Sequence, residues 1–185
     1  ADKTLSVTGG DGNDVFTYAD DAWNTLNTLN GGPGNDTIVL ADAADLTVLT
    51  APGATSIEVL GASAVDSTGY FFDLIPSVVS VASYAGGDNT TASTIFSNMP
   101  SDSTLLVAGN ATDAEGAVLN LTQDSASDTL TVNLAALASG AGQTTEEILA
   151  DEYETITLNS LAGTLQTIEL LDSSQMSSLV LTDAA

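Results

Sequence analysis

Gly9-Gly10-Asp11-Gly12-Asn13-Asp14-Val15-Phe16-Thr17 and Gly31-Gly32-Pro33-Gly34-Asn35-Asp36-Thr37-Ile38-Val39 follow one template: two glycines, any residue, glycine, any residue, aspartate, and a large apolar residue two places further on. Glycine reaches positive φ without a Cβ clash, so a glycine-rich turn can aim several backbone carbonyls to one side. Calcium takes six to eight oxygens at about 2.3–2.6 Å, and such a turn supplies them. Asp14 and Asp36 add a carboxylate at the sixth position, while Phe16 and Ile38 anchor in the core the strand that begins there. Turn and core are thereby tied together. In stacked coils, an ion sits between two turns on the same side of the stack. Tandem copies of the repeat place such turns roughly 18 residues apart. Gly9 and Gly31 are 22 apart, so a four-residue insertion within 20–30 is expected.

Beyond these two copies the pattern decays. Gln123-Asp124-Ser125-Ala126-Ser127-Asp128-Thr129-Leu130-Thr131 keeps the aspartate and the apolar residue but has lost its glycines, which makes Asp124 and Asp128 weaker candidate ligands. Gly86-Gly87-Asp88-Asn89 has only the opening and reads as a loop. Glu146, Glu147, Asp151, Glu152 and Glu154 form an acidic group that reads better as a solvated helix and turn than as an ion site.

Short runs of alternating small polar and aliphatic residues, separated by turn residues, predict strands near 14–18, 36–40, 46–50, 56–60, 77–82, 104–108, 117–122, 128–134, 154–159, 165–171 and 178–182. A loose repeat runs through Asp128-Thr129-Leu130-Thr131-Val132, Glu154-Thr155-Ile156-Thr157-Leu158, Gln166-Thr167-Ile168-Glu169-Leu170 and Ser178-Leu179-Val180-Leu181-Thr182. One such strand cannot bury its own apolar face, so neighbours must stack on it. The expected fold is all-β: a calcium-stapled parallel β-roll or β-solenoid with irregular insertions, with a β-sandwich as the alternative. Residues 1–48 form the calcium-binding roll segment, and 49–185 a β-rich solenoid segment continuous with it. At most one or two short helices are expected. Thr144–Tyr153 is the best candidate, since Thr144 and Glu147 have capping-box spacing, followed by 91–98 and the ambiguous 69–75.

Composition narrows the function. Twenty-five acidic residues face a single basic one, Lys3, for a net charge of -24, and histidine and cysteine are absent. Such a chain repels nucleic acid and anionic surfaces. A 43% apolar content still supports a core, so bound cations are the expected remedy for the self-repulsion. Serine–histidine, cysteine–histidine and Schiff-base chemistry lack their residues, and an enzyme is not expected. No apolar run approaches the roughly 20 residues of a membrane span.

The two full nonapeptides resemble those of the RTX proteins, which bacteria export by type I secretion and which fold on meeting external calcium. The later rungs look like those of RTX-type surface-layer proteins of the Caulobacter kind. The resemblance implies calcium ions held by backbone oxygens of Gly9, Gly10, Asp11, Gly12, Gly31, Gly32, Pro33 and Gly34 and by the side chains of Asp14 and Asp36. It further implies an extracellular protein of the bacterial cell surface, a structural component that assembles with copies of itself into a lattice. Lipopolysaccharide or another surface polysaccharide is the further partner it suggests. An adhesin or the calcium module of a larger type I-secreted protein is the alternative.

Overall fold

The computed structural model describes residues 5–19, 27–41, 53–63, 69–83, 94–107, 116–134, 145–160, 167–171 and 174–183. The strand periodicity is expressed as coils of two strands each. The pairs are β1 (Ser6–Thr8) with β2 (Val15–Tyr18), β3 (Thr28–Asn30) with β4 (Thr37–Leu40), β5 (Ala54–Thr55) with β6 (Val59–Ala62), and β7 (Tyr70–Phe71) with β8 (Ser80–Ser83). They continue with β9 (Thr94–Met99) and β10 (Asp102–Val107), β11 (Gly116–Leu121) and β12 (Thr129–Leu134), β13 (Thr145–Leu149) and β14 (Thr155–Ser160), and β15 (Thr167–Leu171) and β16 (Ser178–Asp183). The even strands form one eight-stranded sheet, in order from β2 to β16, and the odd strands form a three-stranded and a five-stranded sheet. Among the described residues every pairing is parallel, between a strand and its counterpart in the next coil. This is a parallel β-solenoid, and the sandwich alternative falls away. The eight-stranded sheet runs through the proposed boundary at 48/49 without a break.

Register explains why so repetitive a sequence folds. Phe16, Ile38, Leu60, Val81, Leu105, Val132, Leu158 and Leu181 stand directly over one another. The members from Ile38 to Val132 are completely buried, and Phe16 and Leu158 pack against the core from the partly buried flanks. Each aliphatic side chain thus closes the rung below it, which a single coil cannot do. At the far end Leu181 is 72% exposed, because β16 has no described coil above it.

The expected helices are corrected. Thr145–Leu149 is strand β13, with Glu147 paired to Gly116 and Glu169, so the capping-box reading of Thr144–Tyr153 fails there. Parallel neighbours on both sides satisfy this backbone, and a helix so short gains too little from its cap to compete. The expected turn at 91–98 gives way to β9 over Thr94–Met99, where a bulge places Asn98 at φ 61. The ambiguous 69–75 holds β7 and a single 3-10 turn at Phe72–Leu74. The strand expected at 46–50 and the loop at 86–89 lie outside the described residues. The short strands β1 and β3 were not anticipated. No helix among the described residues is long and apolar enough to cross a membrane.

Candidate metal centre

The turns that lead from odd to even strands are stacked along one edge of the solenoid. Ser6 pairs with Thr28 before the glycine turns and Val15 with Thr37 after them, so the two turns lie in the same register in consecutive coils. The coil repeat is therefore 22 residues at this point, as the insertion requires. Turn-to-turn bonds hold the stack: Gly9 N–H donates to Asn30 O at 2.8 Å, Gly12 N–H to Pro33 O at 2.8 Å, and Asn35 N–H to Asn13 Oδ1 at 2.9 Å.

The glycines are there because another backbone is in the way. A Cβ on Gly9 would overlap Gly31 O and lie 2.7 Å from Asp14 Oδ2. Gly32, at φ 99, has Gly10 O against it, and Gly34 faces Gly12 O. Backbone oxygens thus line the space between the two turns, Gly10 O and Gly12 O against Gly32 and Gly34 and Gly31 O against Gly9, and among the described residues they accept none of the hydrogen bonds that join the turns. Such a cradle has the all-oxygen character that a hard cation prefers.

The two aspartates stand in one column. Asp14 N–H donates to Asp36 Oδ1 at 2.8 Å, and Asp14 Oδ2 accepts from Gly10 N–H at 2.8 Å. Asp36 is completely buried, and its Oδ2 has no hydrogen-bond partner. An ionised oxygen without a partner is among the costliest groups to bury, and a metal ion is one of the few things that offset it. Of the other sequence-predicted ligands, Asp11 is exposed at the tip of its turn, and Pro33 O already takes the Gly12 bond. No group of three metal-ligating side chains exists among the described residues, so any ion here depends on the backbone carbonyls.

The degenerate copy is built differently. Asp128 is also completely buried, but Ser125 donates to both of its oxygens, N–H to Oδ2 at 2.6 Å and Oγ–H to Oδ1 at 2.8 Å. Asp124 lies exposed and accepts from Gln175 Nε2 at 3.2 Å. The two are not brought into one cradle. In the acidic group, Glu154 accepts from Asp128 N–H, Glu152 from Leu121 N–H and Asp151 from Ser174 N–H, so these carboxylates clip one coil to another.

Sequence reading missed Glu58, whose Oε2 accepts from Asp36 N–H at 2.8 Å. The signal was present in the equal spacing of Asp14, Asp36 and Glu58. It was hidden because the third turn is shorter: Asn30 pairs with Thr55, 25 residues on, whereas Thr37 pairs with Val59, only 22 on. A second concavity, of about 290 Å³, opens beside Pro100 where a short turn lies between longer ones. Its carboxylate, Asp73, is already bonded to Asn98 Nδ2 at 2.9 Å. No protein-family model matches this chain, and searches of curated proteins and of solved structures likewise returned no match.

Proposed function

We propose that this chain is a structural component of a bacterial extracellular surface layer, and that calcium held between its glycine turns drives both its folding and its assembly. The observation that carries the reading is the stacked pair of turns. Carbonyls of Gly10, Gly12 and Gly31 lie between the two turns, Asp14 adds a carboxylate beside Gly31 O, and Asp36 links the turns through the Asp14 N–H, in a chain of net charge -24. A bound divalent ion would cancel part of that charge in the folded state alone, which makes its binding energy folding energy. Calcium outside the cell is plentiful and inside it scarce, so folding would follow export.

Assembly is supported by the two ends of the long sheet. Strand β16 carries the exposed Leu179, Val180 and Leu181, and β2 at the opposite edge carries Val15 at 65% exposure. Parallel edges of this kind are complementary head to tail, and a head-to-tail contact that does not close on itself builds fibres or sheets. The same edges suit an adhesin or a calcium module inside a longer secreted protein, where further coils of one chain would cover them. Catalysis is not proposed, because histidine and cysteine are absent and the one basic side chain is Lys3.

The test is circular dichroism and light scattering across a calcium titration. Calcium should raise the β signal and, at higher protein concentration, the mass. Chelator should reverse both. A spectrum and mass indifferent to calcium would rule the reading out, and a gain of β signal with a mass that stays monomeric would favour the module over the surface layer.

A further inference from the structure

We infer that a second cation site lies between the second and third coils, completed by Glu58 and the carbonyl of Ser56, neither of which any glycine motif marks. This rests on the calcium reading of the glycine turns and extends it by one coil.

The argument starts from where the unpartnered oxygen points. Asp36 uses Oδ1 upward, to accept the N–H of Asp14 in the first coil. Its Oδ2 packs instead on the Gly31 Cα, where an added Cβ would lie 2.5 Å from it and would also overlap Ser56 O of the third coil. Two oxygens from different coils therefore meet at Gly31, just as Asp14 Oδ2 and Gly31 O meet at Gly9 one coil earlier. The two meeting points differ in one respect. At Gly9 the carboxylate oxygen is satisfied by Gly10 N–H, whereas at Gly31 it is bare and fully buried. A negative oxygen and a carbonyl oxygen repel one another at such range unless a positive charge joins them.

The third turn supplies more. Glu58 is half-buried and holds its side chain under the turn through the Asp36 N–H bond, which occupies one of its two carboxylate oxygens. Ser56 takes φ 51, a left-handed conformation that a non-glycine residue adopts only under constraint, and the turn that contains it is the one that directs its carbonyl at Gly31. The donors are two carboxylates and a main-chain carbonyl, with no nitrogen or sulfur. That set selects a hard divalent ion, calcium before a transition metal.

The second ion would pin the short third turn to the glycine turns and so extend the metal row beyond the motif. Calcium stoichiometry by equilibrium dialysis and affinity by titration calorimetry, on the full chain and on Asp14→Asn, Glu58→Gln and Glu58→Asp, test it. The parent chain should bind at least two ions. Asp14→Asn should lose the one between the first two coils, and Glu58→Gln should lose the other. The glutamine amide oxygen still accepts the Asp36 N–H, which preserves the turn. Should Glu58→Gln fail to fold, Glu58→Asp, which keeps the charge but withdraws it by a methylene, should weaken the same ion at least tenfold. Unchanged number and affinity in both Glu58 variants, with a loss in Asp14→Asn, overturns the second site and leaves the calcium reading intact. No calcium bound to the parent chain overturns both.

Discussion

Asp36 and Asp128 occupy equivalent places, each completely buried at the entrance to an even strand, and each donates its N–H to a glutamate one coil on, Glu58 or Glu154. Their side chains are treated in opposite ways. Ser125 gives Asp128 two donors, so that carboxylate is neutralised by hydrogen bonds made within its own turn. Asp36 Oδ2 has no donor, and it lies instead on the side of Gly31 to which Ser56 O also comes. A buried carboxylate needs donors or a cation: Ser125 supplies two donors three residues before Asp128, whereas the residue three before Asp36 is Pro33, which has neither an N–H nor a hydroxyl to give. One end of the solenoid thereby leaves a buried carboxylate oxygen without a donor, and the other pairs both oxygens of its counterpart.

Chelation should break this comparison most visibly. Hydrogen exchange followed by mass spectrometry should show protection in β2 and β4 falling at least tenfold on calcium removal, while β12 and β14 change little. Equal loss at both ends would mean that the ion stabilises the solenoid globally.

Substitution of the two aspartates comes next. Asp36→Asn should abolish or strongly weaken calcium uptake. Asp128→Ala should leave uptake unchanged and cost about 2–3 kcal/mol in denaturant melts, with or without calcium, because it strands the donors of Ser125 and the Glu154 bond partner loses its setting. A calcium-dependent penalty at Asp128 would place an ion there too.

Tyr153 gives a pH readout of the same region. It is completely buried with no hydrogen-bond partner for its hydroxyl, and burial pushes its phenol up to about 12, the nearby Glu152 and Asp128 charges adding to the rise. The folded state holds the proton more tightly than the unfolded chain, whose phenol titrates near 10. Stability is therefore fully present below pH 10 and declines as the pH rises from 10 to about 12, by roughly 2 kcal/mol. Tyr153→Phe should remove that part of the alkaline slope, and an identical slope in the variant would count against the assignment.

The smallest effect expected is that of Ser125→Ala, which deletes one hydroxyl donor to Asp128 and leaves the N–H in place. It should cost about 1–2 kcal/mol. If calcium then restores the loss, the serine turn has been converted toward the glycine kind, which would sharpen the comparison further.

How much was legible follows from which residues act locally. The glycine turns and their aspartates could be read directly, because positive φ and close backbone approach admit few residues other than glycine. The alternating rungs could be read as strands for the same local reason. The strand at Thr145–Leu149 could not, since its neighbours in sequence favour a helix start and its partners, at Gly116–Val118 and Thr167–Leu171, are distant in the chain. Glu58 left only its 22-residue spacing from Asp36 as a signal, because a turn shortened by three residues carries no glycine signature.

The amino-acid sequence by itself therefore determined the class of fold, the net charge and the place of the glycine turns, since these depend on residue type and on spacing within one coil. Only the tertiary structure decided which coil lies over which, that Asp128 is satisfied by Ser125 while Asp36 Oδ2 is left bare, that Ser56 O comes to Gly31, and that Glu58 takes the Asp36 N–H. Those outcomes rest on register between coils 21 or more residues apart, and register is set by the summed burial of the apolar ladder from Phe16 to Leu181, which no single segment contains.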